Sequence, residues 1–508
     1  MRYLKTLLVA MLALVGTAAY AQKAASEDVA TVGSEVGAGT FYLYNVGTGK
    51  YLCAAGNWNT HAALENVPAQ QIFISLNNGA YRLGTHCGGS WDNYLGQDGT
   101  DPWMDKNPAR GYNCDFTFEE TDAEGYAVAY YIKHSAGYLA GQADRNVRFD
   151  AAPSQNAVWV LLNLDDLTAA MEGSVPEEGV EATQLIQNAG FQLRSQFGLE
   201  KWTITNQGGN AGRGPSWGIA HTQEFWNNTF DINQTLTNVP QGRYKFNVQG
   251  FNRINNDPNK TTENYAYYYA NDVQANLMPI GTHDKQYDGD YAVDGKWATN
   301  SQGGAGLYML DGGYQNAGIT VDVTDGTLKV GAKREQLAGV DWTVLDNFQL
   351  TFLGNEPILK ELIDKAKNLL PELDDQNKPA LEEAIAAAQA VLDNKGTQAE
   401  VIEAIQALQD AYNDADALNI AKNLAKEVLA GYDSGKYAYA WKEVYVDPLR
   451  ELLAKCESGE EFDTDEMVAE LTRLARAVVT THSWAAQLYL QGDEHVNPSA
   501  DYDWMYTR

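Results

Sequence analysis

GKYLCAAG (49–56), DNYLGQDG (92–99) and AGYLAGQA (136–143) decide the first third of this 508-residue chain. Each holds a Tyr-Leu pair: Tyr51-Leu52, Tyr94-Leu95 and Tyr138-Leu139, spaced by 43 and 44 residues. A second position recurs with them, Phe73 in QQIF, Phe116 in DFTF and Trp159 in AVWV. A unit of about 43 residues is too long for a solenoid turn and too short for a domain. Three such units suit a closed threefold structure that buries one shared core. Within each unit, alternating apolar residues such as Phe41 and Leu43, broken by Gly-rich turns, read as short strands.

The expected fold of residues 39–163 is therefore a β-trefoil, with the aromatics of the second position closing its core. Such a fold presents three similar surface pockets and suits multivalent weak binding. Gln71-Ile72-Phe73 resembles the Q-x-W motif of ricin-type lectins, whose Trp is a core residue; Cys114 and Ala157 stand in place of the Gln in the other two repeats. The resemblance implies the architecture more than it implies galactose binding. Seven residues beyond each repeat Tyr lie Trp58, Asp101 and Arg145, all in Gly- and Asn-rich loops. Sugars bind by stacking an apolar ring face on an aromatic while Asp, Asn or Gln meets the hydroxyls. Trp58 with Asn57, and Trp103 with Asp98 and Asp101, are thus candidate platforms; their alternative role is to pack loops.

Residues 1–21 read as a secretory signal peptide. Arg2 and Lys5 form its charged end, Leu7 to Val15 its apolar core and Ala19-Tyr20-Ala21 its cleavage site. The apolar run is too short for an anchor, and no later stretch of 18 apolar residues occurs. The expected location is outside the cytoplasm: secreted or periplasmic, or held at the cell surface. A net charge of −31 opposes binding to nucleic acid or anionic membranes. The four cysteines, Cys53, Cys87, Cys114 and Cys456, form no C-x-x-C pair, so no zinc site is suggested. One disulfide within the trefoil, or buried free thiols, fits equally.

After a short linker (22–38) and the trefoil, residues 164–183 are acidic with Gly and Pro breakers and read as a second linker. From 184 to 354 the pattern is again all-β. Tyr244, Phe246 and Val248 alternate; so do Ile319, Val321 and Val323, which turn at Asp325-Gly326 before Leu328 and Val330. Phe348, Leu350 and Phe352 form a closing strand, and the whole suits a two-sheet jelly-roll sandwich. LIQNAGFQ (185–192) with Trp202, FDINQTLTNVPQGRYKFNVQGFNR (230–253), YYYAND (267–272) and GVDWTVLDNFQLTFLG (339–354) resemble the galactose-binding-like carbohydrate-binding modules common in secreted and surface proteins of Bacteroidota. The resemblance implies a glycan ligand. Trp217, Trp226, Tyr265, Trp297 and Tyr308 are candidate platforms, about half of which should be core instead; Arg253 is a candidate bidentate clamp for the carboxylate of an acidic sugar or, as the more frequent alternative, part of a sheet-edge salt bridge; Trp202 and Trp342 are core members. It also implies a structural calcium with Asp346 as ligand, although Gln192 stands where a second carboxylate is usual. No other cofactor is required.

Beyond Pro357 the composition turns to Ala, Leu, Glu and Lys. Three amphipathic helices over 355–415 read as a bundle, with a capping box at Thr397 and Glu400, and a second helical set fills 416–490 before a tail at 491–508. This stretch resembles helical repeats appended to secreted glycan-degrading enzymes and adhesins, and a protein partner could dock there. No H-E-x-x-H occurs; His221 beside Glu224 and His283 beside Asp284 are acid/base pairs only if they are not ordinary loop residues. The expectation is a secreted, non-catalytic protein that binds a polysaccharide or glycoconjugate glycan through its β-modules. The rivals are a lyase or glycosidase sited on the sandwich, and an adhesin that binds protein through its helices.

Overall fold

A computed structural model describes residues 33–195, 198–207, 221–373, 378–458 and 462–490. The segment expected to be a signal peptide, Trp217 and the expected tail at 491–508 lie outside the described residues. The chain divides into two compact units, 1–358 with 395–401, and 359–394 with 402–508. The first is all-β apart from short helices; the second is helical.

Twelve strands open the first unit: β1 (Gly39–Asn45), β2 (Lys50–Ala55), β3 (His61–Glu65), β4 (Ile72–Asn77), β5 (Ala80–Gly84), β6 (Tyr94–Asp98), β7 (Asp101–Lys106), β8 (Thr117–Thr121), β9 (Ala129–His134), β10 (Gly137–Gly141), β11 (Val147–Asp150) and β12 (Val158–Leu162). β1 pairs with β4 and β12, β4 with β5, and β9 with β8 and β12. A bridge between Tyr81 and Phe116 joins β5 to the edge of β8. These six strands close into a barrel. β2–β3, β6–β7 and β10–β11 are hairpins that meet one another through His61 with Trp103 and Ala63 with Asn146. Three four-strand repeats around one barrel make a β-trefoil, as the repeat spacing requires.

Leu52, Leu95 and Leu139 of the three repeats are fully buried in one cluster with Phe116 and Trp159. Phe73 departs from the expected set. Ile72 and Ile74 are buried, whereas Phe73 points outward against Trp91. A one-residue offset moves a strand side chain to the opposite face. The same offset corrects the lectin-like motif: Gln70, not Gln71, is buried, accepting from the Ala54 amide and donating 2.9 Å to the Thr85 carbonyl. All four cysteines are unpaired, and burial pushes the Cys87 thiol up to about 12 and that of Cys114 to about 11.

The segment 164–183 is structured rather than a linker. Asn163 caps a helix at Leu164–Glu172, accepting from the Asp166 amide while Asp166 accepts from that of Asn163. Leu167, Ala170 and Met171 are buried in a core shared by trefoil residues (Tyr42, Val160, Leu162) and sandwich residues (Phe191, Phe348). Val180–Glu181 then pairs with the closing strand Trp342–Gly354.

The sandwich has two mainly antiparallel sheets. One centres on Gly242–Arg253 and Trp342–Gly354 and adds Gln223–Trp226 and Ile319–Val323; the other runs Thr203–Gln207, Thr229–Thr237, Thr327–Arg334, Ala266–Ala270 and Val273–Asn276. Tyr244, Phe246, Val248, Phe348 and Leu350 are fully buried between them, as the alternation predicts. The ladder slips at Val248/Gln249, and Asn347 takes up the extra residue with a left-handed φ of 45°.

In the second unit, Ala421, Val428, Leu449, Leu471, Leu474 and Val478 form the core of the helices Ala417–Asp433, Asp447–Ser458 and Thr464–Leu490. The capping box before Gln398–Ala415 forms as expected: Glu400 accepts from the Thr397 amide at 2.7 Å.

Candidate functional site

Among the described aromatics singled out as candidate platforms, Trp58 stands wide open, with 80% of its surface exposed. It lies in a tight turn between β2 and β3, where Trp58 and Asn59 both have left-handed φ, 61° and 56°. A bulky residue there is strained and persists only when its surroundings hold it. Asn59 is held from both sides: Cys87 Sγ lies 3.7 Å from its carbonyl, and His221 Nε2 is 3.0 Å from its Oδ1. The neighbouring loop carries Trp91, which is 63% exposed. Its ring packs 3.9 Å from the His86 ring and edge-on to Phe73 at 4.8 Å, and His86 Nε2 meets Glu200 Oε2 at 3.2 Å. Two open indoles therefore stand on adjoining trefoil loops. Sequence reading missed Trp91; GGSWDN, a Gly-rich turn around one Trp, was the signal present.

The other trefoil candidates are less open. Trp103 is half-buried, edge-on to His61 at 4.9 Å with Lys106 Nζ 5.0 Å from its ring. Asp101 faces Asp98 at the tip of the β6–β7 hairpin.

In the sandwich, aromatics expected as platforms pack instead on one another. Phe251, Met309, Tyr314, Trp342 and Val344 form a satellite core beneath the helix Gln302–Leu310, with Trp226 and Tyr308 packed against it. Tyr308 contacts His283 (4.3 Å), Tyr314 (4.8 Å) and Tyr287 (5.3 Å). Trp297 is half-buried in the hairpin Tyr291–Val293/Lys296–Ala298, and Tyr265 is half-buried before its strand. Tyr268 faces the core, while Tyr267 and Tyr269 lie on the other face beneath Lys333 and Lys329.

Arg253 is not a surface clamp. It is 3% exposed, with its guanidinium 4.7 Å from the Trp342 ring and 5.3 Å from that of Trp226; Nη1 donates 2.7 Å to Asn300 Oδ1, and Nε has no partner. Burial lowers its pKa. His221 with Glu224 and His283 with Asp284, set in the sequence against a reading as ordinary loop residues, form no acid/base pair. His221 is buried and its pKa falls to about 4 through desolvation, while Glu224 accepts from the Trp342 indole. His283 is buried against Thr299, while Asp284 is exposed and pairs with Lys296.

Asp346 lies where trefoil and sandwich meet. The bulge at Asn347 sets Asp346 and Asn347 together, both fully buried. Asp346 Oδ2, Asn347 Oδ1 and Gln192 Oε1 are buried without a donor. A Cβ at Gly190 would stand 2.7 Å from Gln192 Oε1 and 3.1 Å from Asn347 Oδ1, so glycine leaves that space open. Glu65 of β3 supplies a carboxylate from the trefoil, accepting 3.2 Å from Gln192 Nε2. Burial raises the pKa of both carboxyls, and the charge of Glu65 raises that of Asp346 further, while Arg145 opposes both shifts. Two carboxylates and two amide oxygens are a hard-oxygen set suited to calcium. No cluster of three or more His, Cys, Asp or Glu able to hold a metal occurs among the described residues.

The helical unit also carries an aromatic cluster that sequence reading did not find: Tyr439 stacks on His482 at 5.6 Å, Trp441 stacks on Tyr445 at 5.9 Å, and Trp484 stands edge-on to Trp441 at 6.2 Å. No helix among the described residues is long and apolar enough to cross a membrane.

No family model and no curated protein matches the chain. Among solved structures, a Macrolepiota procera ricin B-like lectin in complex with lactose is 15% identical, with 26% of this chain and 99% of that chain covered at a TM-score of 0.21. TmCBM61 in complex with β-1,4-galactotriose is 14% identical, with 35% and 97% covered at a TM-score of 0.17. The CBM51-2 and INT domains of Clostridium perfringens ZmpB, with CBM51-2 in complex with GlcNAc, are 12% identical, with 59% and 54% covered at a TM-score of 0.17. These are similarities of this chain to other proteins, at TM-scores that carry no argument about its function.

Proposed function

We propose that this chain is an exported, non-catalytic carbohydrate-binding protein, and that Trp58 and Trp91 of the trefoil form its principal glycan platform. The observation that carries this reading is the pair of indoles, 80% and 63% exposed, on loops tied together through Asn59 and Cys87. Exposed indoles cost hydration, and at Trp58 backbone strain, without serving the core. A pyranose laid on such a ring excludes water from two apolar faces at once. Single contacts of this kind are weak, with Kd on the order of 0.1–1 mM, because the sugar's polar rim gives up water.

The test is a glycan array on the full chain, followed by calorimetry on Trp58→Ala and Trp91→Ala. Each substitution is expected to weaken binding about tenfold, roughly 1.4 kcal/mol, without shifting the melting temperature by more than a few degrees. Full affinity in the double variant would remove the platform. Release of new reducing ends from a bound polysaccharide would favour the lyase or glycosidase reading instead.

The aromatic cluster of Tyr439, Trp441 and Trp484 supports a second reading, in which the helical unit docks a protein partner. Partner binding that survives Trp58→Ala and Trp91→Ala but is lost in Trp441→Ala would favour it. We also propose a structural calcium held by Asp346, Gln192, Asn347 and Glu65. Bound there, the ion would neutralise carboxylates drawn from both modules and tie them together.

A further inference from the structure

We propose that a second glycan site lies in the cleft where the β10–β11 loop of the trefoil meets the sandwich, and that it takes one uncharged, hexose-sized residue of an oligosaccharide. This rests on the carbohydrate-binding reading and extends it, because neither module contains the site alone. The cleft has a volume of about 610 Å³ and is walled by Asp144 and Arg145 on the trefoil side and by Lys285, Tyr287, Leu307 and Asp311 on the sandwich side. That volume falls within the range of small-molecule pockets.

The two walls are fixed to each other. Arg145 has a left-handed φ of 66°; its Nη1 donates 3.1 Å to Asn66 Oδ1 within the trefoil, and its Nη2 donates 2.6 Å to the Leu310 carbonyl. That carbonyl ends the helix Gln302–Leu310, where the last turn leaves acceptors without helical partners. The cleft is thus built before any ligand arrives. On the far wall, Asp311 Oδ2 accepts from Lys285 Nζ and, at 2.8 Å, from the Tyr287 hydroxyl. Burial alone would raise the Asp311 pKa, but these bonds and the Lys285 charge hold it below its ordinary value, so it remains an ionised acceptor.

Charge selects the ligand class. Three carboxylates, Asp144, Asp288 and Asp311, line the cleft with two cations, Arg145 and Lys285, so an anionic sugar meets a net negative lining. Both cations already have partners, and Asp144 is paired with Arg148 at 2.9 Å. What remains is carboxylate oxygens able to accept from hydroxyl groups, together with apolar surface. Leu307 is 40% exposed, and Tyr287 is held upright by Tyr308 and His283 at 5.3 and 5.4 Å. Hydroxyl acceptors beside a C–H-compatible surface fit a neutral pyranose.

The experiment uses the full chain with lactose, β-1,4-galactotriose and N-acetylglucosamine as probes, and a sulfated lactose as the charged control, read by saturation-transfer NMR and calorimetry. In the Trp58→Ala/Trp91→Ala background, at least one neutral probe should still bind. Adding Leu307→Trp, which fills the cleft, or Asp144→Ala should weaken that residual binding at least fivefold, with melting temperatures confirming that each variant folds. If the wild type binds a neutral probe but the double tryptophan variant abolishes binding, while Leu307→Trp and Asp144→Ala leave the wild type unchanged, the cleft is not a site and the platform reading stands. Preference of the cleft for the sulfated probe would overturn the ligand class. If the wild type binds no glycan on the array, the carbohydrate reading falls and the cleft proposal with it.

Discussion

Trp159→Ala should open the trefoil and leave the helical unit untouched. Trp159 is fully buried on β12, paired with Asn45 of β1 and Tyr130 of β9, and its indole N–H donates 2.8 Å to the Leu139 carbonyl of β10. It therefore ties β1, at the start of the trefoil, to β9 and β10 near its end. Truncating a buried Trp costs roughly 3–5 kcal/mol in lost transfer energy and cavity formation. The Leu139 carbonyl then lacks its donor, which adds about 1 kcal/mol or more. The sum is about 4–6 kcal/mol. A chain of several modules does not unfold in one step, so a single melting temperature would blur the effect. Hydrogen exchange read peptide by peptide resolves it. Amides of 42–45, 130–132 and 158–161 should lose about a thousandfold of protection, corresponding to roughly 4 kcal/mol, while those of 467–478 stay as in the wild type. Trp159→Phe keeps part of the ring but not the donor and should lose about 2 kcal/mol. Protection within threefold of wild type in Trp159→Ala would refute the closed threefold core.

Other tests follow from individual groups. His221 is expected to make the β-unit acid-sensitive. Its folded pKa of about 4 lies below the ordinary 6.5, so between those values the unfolded chain binds the proton and the folded chain does not. Stability is lost as pH falls from 6.5 towards 4, by roughly 3 kcal/mol in all; Glu65 and Asp346, raised by burial, act in the opposite sense. Denaturation of His221→Gln from pH 7 to 4.5 should therefore be flatter than wild type, and a parallel pair of curves would remove His221 as the cause. Arg334 donates to the Asn228 carbonyl, Asn252 Oδ1 and Thr343 Oγ1 while almost fully buried, so Arg334→Met should cost about 3–5 kcal/mol. Arg253→Met, which removes a guanidinium whose Nε is already unpartnered, should cost less than half as much; equal losses by urea unfolding would contradict this ranking. Calcium at a hundredfold excess over its Kd should stabilise the β-unit by about 2.7 kcal/mol, and Glu65→Gln should weaken the effect. A melting temperature unchanged by calcium or EGTA would dispose of the ion.

The trefoil and the sandwich were legible in sequence because both depend on local periodicity. Tyr51, Tyr94 and Tyr138 repeat every 43 or 44 residues, and Tyr244, Phe246 and Val248 alternate with the pleat of a strand. The amphipathic helices and the Thr397–Glu400 box follow for the same reason: 3.6-residue spacing and capping chemistry are short-range. Registers were less secure. Phe73 and Ile72 are both apolar, and only pairing with β1 decides which enters the barrel. The candidate sites were mostly beyond reach. Trp58 and Trp226 look alike in sequence, as aromatics near Asn, but one stands open on a turn and the other packs against a satellite core. Glu65 and Asp346 are far apart along the chain and meet only where the two modules share an interface; so do Asp144 and Lys285, which face each other across the junction cleft. Sequence determines which residues alternate, cap and turn, because those are interactions between neighbours. Tertiary structure alone decides which aromatic is left for a ligand and which charges face each other, because burial is a property of the packed whole.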